Sequence, residues 1–482
     1  MKLNRTFDRC LVIVPHEDDE INIAANTIWS LRKEGTEVFI AFATNGDWKY
    51  PAEIRAAEAE KAASIIGSIP KDHLCFLGYS DSFFSREHTH MFYCEDGAAV
   101  SKSGHSETYG PGCRTEYAAM RNGTHNPYNR MAFCQDLFNL INDLRADLVI
   151  CSDYDEHPDH RMLTLCFDQA MEKMLKQASD YHPVVLKAFA YCTAYCAVKD
   201  FNEDSLVETQ RPMPGITEKY VYDIIDRSIY QWDERISLSA PAVSLNRRFS
   251  RNMKARALTK HVSQGIIFRA ERIINADEVF WQRRTDSVSY AASVTASSGR
   301  PEYLNDYRLY NVTDIDSEAP VFTDYLWLPD EDDPVREFTF TWTSPQRIIM
   351  ICLYGDMDEE TESGPVSVRM DSGYSASGFM LPDRGKKLTI RFEPQKVTGC
   401  TIKVPPGTGI AECEFYAEEG FVLSDIEREA VAEKCTGADR FFNREFMFRQ
   451  KVKSAFWKAG YVMKYQGTKA MIRKIVRKVG GR

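Results

Sequence analysis

Hydrophobic and polar positions follow two different textures along the chain. Up to about residue 284, short β-branched runs take turns with amphipathic stretches. Cys10–Val14 reads as a strand, and Asn22–Lys33 has the apolar spacing of a helix that ends near Gly35. Glu37–Ala43 reads as a second strand and Ala52–Ile66 as an Ala-rich helix closing at Gly67, with a third strand at Leu74–Leu77. Periodicity then fails from Ser85 to Asn129, where Gly, His, Tyr, Asn and Pro accumulate, as in an irregular insertion that lines a site. A helix over Arg130–Leu144, a strand over Asp147–Cys151, a buried run Val184–Val198 and a basic helix at Asn252–His261 follow. Alternating strands and helices require a mostly parallel sheet covered on both faces, so the expected fold is α/β, doubly wound and Rossmann-like.

Beyond Arg284 the period shortens. Val288–Thr295, Phe338–Trp342, Ile348–Leu353, Val366–Met370, Leu388–Phe392 and Cys413–Ala417 alternate between turn signals with nothing helical among them, which predicts an all-β jelly roll or sandwich. Helical spacing returns after Gly420. The expected division is a catalytic domain over 1–284, a β-sandwich over 285–422 and a helical tail over 423–482.

Composition narrows the class without naming it. Of 482 residues, 44% are apolar and 27% charged, which excludes wholesale disorder. The net charge of −10 disfavours nucleic acid as a partner of the whole body. No run approaches the length of a membrane span, and the apolar run after Arg9 is too short for a signal peptide, so a cytoplasmic location is expected. Thirteen cysteines without regular spacing predict reduced, mostly buried thiols.

Chemistry concentrates in two places. Pro15-His16-Glu17-Asp18-Asp19-Glu20 directly follows the first strand, and Asp155-Glu156-His157-Pro158-Asp159-His160 directly follows Asp147–Cys151. The carboxyl edge of an open parallel sheet is where ligands bind. Two clusters of imidazole and carboxylate at one edge can converge on a single metal ion, and the absence of thiolate suits Zn²⁺ in a catalytic site with an open position. The competing role is local, since Asp and His after strands also cap helices and form turns.

These residues resemble a known family. His16-Glu17-Asp18-Asp19-Glu20 is similar to the HPDDE signature of the PIG-L (LmbE-like) zinc-dependent de-N-acetylases, and His157-Pro158-Asp159-His160 to their HPDH signature. Thr44-Asn45-Gly46-Asp47, Arg55, Gly78-Tyr79-Ser80-Asp81 and His261-x-Ser263-Gln264 match further family positions, so the resemblance runs from about residue 8 to 283. Glu17 departs from it, standing where the family has Pro. The resemblance implies His16, Asp19 and His160 as Zn²⁺ ligands and Asp18 as general base. It implies that His157 stabilises the oxyanion or protonates the leaving amine, and that Asp159 orients a ligand. Asp47, Arg55 and Tyr154 are candidate substrate contacts. The implied substrate is an N-acetylated sugar of the GlcNAc type on a lipid-linked or nucleotide-linked glycan precursor. Hydrolysis of another amide, such as a thiol conjugate, and a glycan-binding scaffold with an inactive site are the alternatives.

The β-rich segment resembles galactose-binding-like (discoidin-type) domains through Val294–Gly299 and Asn305-Asp306, with Trp327 and Tyr354 as candidate glycan contacts. Its other role is to pack against the catalytic unit. The last 39 residues, from Arg444, hold twelve Lys or Arg and one acid, a net +11 that leaves −21 on the remainder. Thr468 can cap a helix with Met471, Ile472, Ile475, Val476 and Val479 on one face, and Phe448, Val452, Phe456, Ala459 and Met463 form a similar stripe before Gly467. A basic amphipathic helix of this kind favours an anionic membrane surface, here the inner membrane face. Docking on the chain's own acidic body and a nucleic-acid patch are the weaker readings, and no nucleic acid is expected.

Overall fold

The computed structural model describes residues 1–82, 94–155, 157–178, 180–191, 201–202, 206–211, 231–309, 326–356, 364–382, 386–428 and 434–470. Part of the irregular insertion after Ser85, the end of the Val184–Val198 run and the helix through Met471 and Val479 lie outside them. Strand β1 (Lys2–Leu3) is a short edge piece, and the central sheet begins with β2 (Arg9–Val14). Helix α1 (Asp19–Lys33), β3 (Glu37–Thr44), α2 (Ala52–Ile66) and β4 (Leu74–Tyr79) follow. Then come α3 (Tyr117–Asn122), α4 (Arg130–Leu144), β5 (Leu148–Ser152), α5 (Pro158–Gln177) and β6 (Val184–Ala188). β7 (Ile236–Ser239), α6 (Met253–Leu258) and β8 (Asp277–Arg283) complete the α/β unit.

The seven strands are ordered β4-β3-β2-β5-β6-β8-β7. The first five are parallel, and β8 runs antiparallel to both β6 and β7. β2 and β5 are buried along almost their whole length, which is why they read as unbroken apolar runs. Each fully buried Val or Ile contributes about 1.5–3 kcal/mol relative to exposure. Ala56, Ala59, Ala62 and Ala63 line the buried side of α2 and let that helix lie close against the sheet. The chain runs from β2 outward to β3 and β4, then returns to place β5 on the other side of β2. The carboxyl ends of β2 and β5 therefore flank the switch point of the sheet.

The second unit is all-antiparallel, built from β9 (Ser293–Ala296), β10 (Glu337–Asp356), β11 (Pro365–Met370), β12 (Ser375–Met380), β13 (Lys387–Lys403) and β14 (Gly409–Tyr416). Two runs expected as separate strands, Phe338–Trp342 and Ile348–Leu353, belong to the single strand β10. The ladder to β13 shifts register between Thr341 and Gln346, around Pro345, where a residue without an N–H fits only at an irregularity. Val288–Ala291 forms a 3-10 turn, so only the end of that expected strand is extended. Trp327 does not face solvent: it is fully buried, donates Nε1–H to the Ser298 carbonyl at 2.8 Å and meets Phe338 edge-on. Tyr354 lines the cavity between this unit and β8, with the Arg283 guanidinium 5.7 Å from its ring. Neither aromatic is placed as an exposed glycan contact.

The two units are joined by buried polar contacts. Arg283, at the end of β8, pairs with Glu414 on β14. Arg283 Nη2 also lies 4.0 Å from Glu412, which within the second unit accepts from Tyr290 Oη at 3.0 Å and from the Asp306 and Tyr307 amides. β15 (Asp425–Glu427) returns to pair with β1, and α7 (Gly437–Gln466) starts at a Thr436–Asp439 capping box. The described cysteines are all free. No described helix is long and apolar enough to cross a membrane.

Lys187 on β6 is fully buried and donates to Asp168 on α5 at 2.9 Å, with Asp153 at 3.9 Å. Removing one partner strands a buried charge. We expect Lys187→Ala to lower unfolding free energy by about 3–5 kcal/mol in denaturant titration. A loss below about 1 kcal/mol, the range of exposed pairs, would show that the pair does not stabilise the fold as a buried ion pair.

Candidate metal centre and active site

The loop after β2 and the loop after β5 each lead straight into a helix, so the helix starts deliver the side chains. His16 and Asp19 arrive at the start of α1, and His157 and His160 at the start of α5. His157 is the N-cap of α5, accepting from the Asp159 amide through Nδ1 at 3.2 Å, with Pro158 in the first turn. Capping and chemistry thus share the same residues.

His16 Nδ1 lies 3.1 Å from Asp19 Oδ2, and His160 Nε2 lies 3.3 Å from that oxygen and 3.4 Å from His16 Nδ1. Three donors bound tetrahedrally to zinc at about 2.0–2.1 Å stand about 3.3–3.4 Å apart, so this triangle fits such an ion. The outward nitrogens are engaged as well. His160 Nδ1 meets Asp155 Oδ2 at 2.8 Å, and His16 Nε2 meets Asp159 Oδ2 at 3.0 Å and Asp81 Oδ1 at 3.5 Å. A carboxylate behind each imidazole fixes its tautomer and raises its basicity toward a metal. Two wider groupings, His16 with His157 and His160, and His16 with Asp81, His157 and Asp159, also bring donor atoms within 4.8 Å of one another. In both, His157 has only Nε2 to offer, because Nδ1 caps the helix.

Asp18 sits beside the triangle in a backbone conformation, φ 146° and ψ −20°, that side chains rarely adopt. Such strain persists only when the surroundings impose it, and here they do. The Asp18 amide donates to Glu20 Oε2 at 2.9 Å, while Arg55 Nη2 donates to the Glu17 carbonyl at 2.7 Å and to Asp18 Oδ1 at 3.3 Å. Gly46 makes this possible. With φ +56°, it carries no Cβ, which would lie 2.5 Å from Glu17 Oε2 and 2.9 Å from Arg55 Cζ. His261, fully buried, approaches Glu20 Oε1 at 3.5 Å and so braces the same corner.

The electrostatics are those of a cation site. Burial pushes His16 downward, but Asp81, Asp159 and Asp19 together hold it well above its ordinary value. Burial is likewise outweighed at His160, which Asp155 and Asp19 raise to about 9. His157 goes the other way, lowered by burial and by the neighbouring His16 and His160. Burial lifts Asp18 to about 6 against the pull of Arg55, and lifts Glu17 to about 8.

The remaining expected contacts are placed differently. Arg55 is buried and holds Asp18 and the Glu17 carbonyl. Asp47 is a strap: Oδ1 accepts from the Asp81 amide at 2.7 Å, and Oδ2 from Tyr109 Oη at 2.7 Å and from Ser103. Tyr154 is completely buried beneath the Arg161 guanidinium, which leaves no surface for a substrate to touch. Asp81 and Asp155 were not expected behind the imidazoles, although both stand in the quoted motif segments. Tyr191, whose ring stacks on His160 at 5.1 Å, had no signal beyond an apolar run.

Residues 11–171 match the family model described as PIG-L: GlcNAc-PI de-N-acetylase. This third of the chain holds both His/Asp loops and is similar to that family, and the unit behind it is all-β and antiparallel. Among curated proteins, none matches the chain. Of solved structures, a deacetylase–teicoplanin complex from teicoplanin biosynthesis is 12% identical over 57% of this chain and 98% of its own, at TM-score 0.33. N,N'-diacetylchitobiose deacetylase from Pyrococcus horikoshii is 15% identical over 58% and 85%, at TM-score 0.30. The family 32 carbohydrate-binding module of C. perfringens NanJ is 13% identical over 26% and 94%, at TM-score 0.21.

The triangle separates ligand from non-ligand histidines. His160→Ala should release most of the roughly one divalent ion per chain expected in the purified protein, as read by elemental analysis, whereas His157→Ala should keep it. Equal loss in both variants would move His157 into the ligand set.

Proposed function

We propose that the chain is a zinc-dependent de-N-acetylase that hydrolyses the acetamide of an N-acetylated sugar of the GlcNAc type, on a lipid-linked or nucleotide-linked glycan precursor at the cytoplasmic membrane face. The observation that carries this reading is the His16–Asp19–His160 triangle with Asp18 held beside it, inside the segment matched to a de-N-acetylase family. An N/O donor set of three residues suits zinc with one position left open. When bound there, such an ion supplies Lewis-acid activation of water and of the acetamide carbonyl.

The chain's own groups perform the proton work. Arg55 holds Asp18 Oδ1, leaving Oδ2 to take a proton from the attacking water as it adds to the acetyl carbon. A carboxylate raised to about 6 is suited to accept a proton near neutrality and to release it again. His157 has its Nδ1 occupied by the Asp159 amide, so Nε2 carries the hydrogen and donates to the oxygen on which negative charge develops. As the C–N bond breaks, the proton taken by Asp18 passes to the leaving nitrogen, giving acetate and the free amino sugar. Asp81 and Asp159 hold His16 in place throughout.

The test is an acetate-release screen over lipid-linked, nucleotide-linked and free N-acetyl sugars, with N-acetylated thiol conjugates alongside. Acetate from a sugar supports the reading, and release only from thiol conjugates would replace the substrate class. In the active assay Asp18→Asn should cost at least about 100-fold in kcat while metal content stays unchanged, since general-base removal is worth about 10²–10⁴. Near-normal turnover in that variant would remove Asp18 from the mechanism. Gly46→Ala should lower kcat in the same assay by crowding Glu17 and Arg55, again with metal retained.

A further inference from the structure

Helix α7 has two apolar faces, and only one of them is covered. On the inner face Asn443, Ser454 and Val462 are buried, and Phe446 and Met447 pack on the core of the α/β unit. Asn443 accepts from the Phe249 amide at 2.9 Å and donates to the Arg247 carbonyl at 2.8 Å. Trp457 and Tyr461 set their rings 5.3 and 5.0 Å from Tyr50. At 100° per residue, Phe441, Phe448, Val452, Phe456 and Met463 fall on the opposite side. They point outward: Phe441 is 65% exposed, Phe448 66% and Phe456 74%. Arg444, Lys451 and Lys458 run along one edge of this stripe, and Arg449, Lys453 and Lys464 along the other, all exposed.

A covered inner face means that the helix is not a loose tether. We propose that its outward stripe is a membrane-contact rib, lying in the interface of a bilayer that contains anionic lipid. This rests on the membrane reading of the basic tail, but not on the chemistry of the site. Three observations favour a bilayer as the occupant. Large exposed aromatic side chains between two basic edges match an interfacial helix, whose apolar face enters the acyl boundary while Lys and Arg meet the headgroups. Since the chain outside the tail carries −21, an anionic surface attracts this helix and repels the rest of the body, which sets the orientation. A groove of about 360 Å³ opens along the Arg444–Lys451 edge, floored by Phe249, Phe268 and Met447, with the two basic side chains and Glu271 among its polar lining.

The covered face of the same helix reaches the start of α2. Tyr50, which Trp457 and Tyr461 meet edge-on, is three residues past Asp47, and Tyr465 Oη reaches Glu53 in the first turn of α2 at 3.4 Å. Arg55, which holds Asp18, is in that same turn. The stripe is therefore carried by a helix fixed to the element that holds Asp18.

The test is co-sedimentation of the full chain with phosphatidylglycerol–phosphatidylcholine vesicles and with pure phosphatidylcholine vesicles. The protein should bind the anionic vesicles, weakly at high salt, and not the neutral ones. Replacing two exposed rings, Phe448→Asp with Phe456→Asp, should weaken that binding by about tenfold or more, because both apolar burial and charge attraction are lost. Melting temperature, oligomeric state and acetate release from a soluble N-acetyl sugar should stay as in the parent protein. Undiminished vesicle binding by the double variant overturns the rib, as does failure of the parent protein to bind anionic vesicles. If the double variant instead splits an oligomer of the parent protein, the stripe is a contact between copies and the membrane role is wrong. Absence of acetate release from every sugar would defeat the proposed chemistry and leave the vesicle result standing.

Discussion

The site depends on one constraint of sheet topology. β2 and β5 are hydrogen-bonded neighbours, yet the chain leaves the sheet in opposite directions after them, toward β3 on one side and β6 on the other. Two loops that emerge side by side cannot both be filled by a crossover helix packed directly above, and a crevice opens between them. His16 and Asp19 come from one loop, and His157 and His160 from the other. The convergence of residues more than 140 positions apart is a consequence of strand order, and β4 adds Asp81 and Ser82 from the same edge.

Burying so many ionisable groups in one crevice is costly unless they compensate one another. The carboxylates of Asp19, Asp81, Asp155 and Asp159 favour the protonated forms of His16 and His160. A divalent ion is the natural replacement for those protons, since deprotonated imidazole and carboxylate are what it binds. The arrangement around Asp18 has a different purpose. Arg55, Glu20 and Gly46 force a strained backbone that sets the carboxylate beside the triangle, where the departure Glu17 adds a buried acid against Arg55. Strain of this kind marks a position shaped for chemistry and not for folding.

Much of this was legible in the sequence, for physical reasons that differ by element. Parallel strands buried on both faces leave continuous apolar runs, so β2, β3 and β5 were readable almost to the residue. The two His/acid clusters were readable because no cap or turn needs so many ionisable groups. The bonds of Arg55 to Asp18 and the Glu17 carbonyl were not legible, because its motif position says nothing about which way a buried guanidinium turns. Pro345 hid the continuity of β10, since a proline looks like a terminator unless a register shift absorbs it. Trp327 looked like a glycan contact because an aromatic between turn residues gives no hint of burial. For α7, apolar residues occupy both faces, so periodicity alone did not say which face the body covers. The stripe through Phe448 and Phe456 was legible as amphipathic, while the docked face of Phe446, Trp457 and Tyr461 emerges only from the packing against Tyr50 and Phe249.

The central claim is that loops from two adjacent strands build one metal centre from His16, Asp19 and His160. The most direct measurement is a crystal structure of the zinc-loaded protein with anomalous data collected on both sides of the zinc absorption edge. The account predicts a single edge-dependent peak about 2.0–2.1 Å from His16 Nδ1, Asp19 Oδ2 and His160 Nε2, with His157 outside the coordination sphere. A peak held by His157 with Asp81 or Asp159, or no peak in the crevice at all, would contradict it.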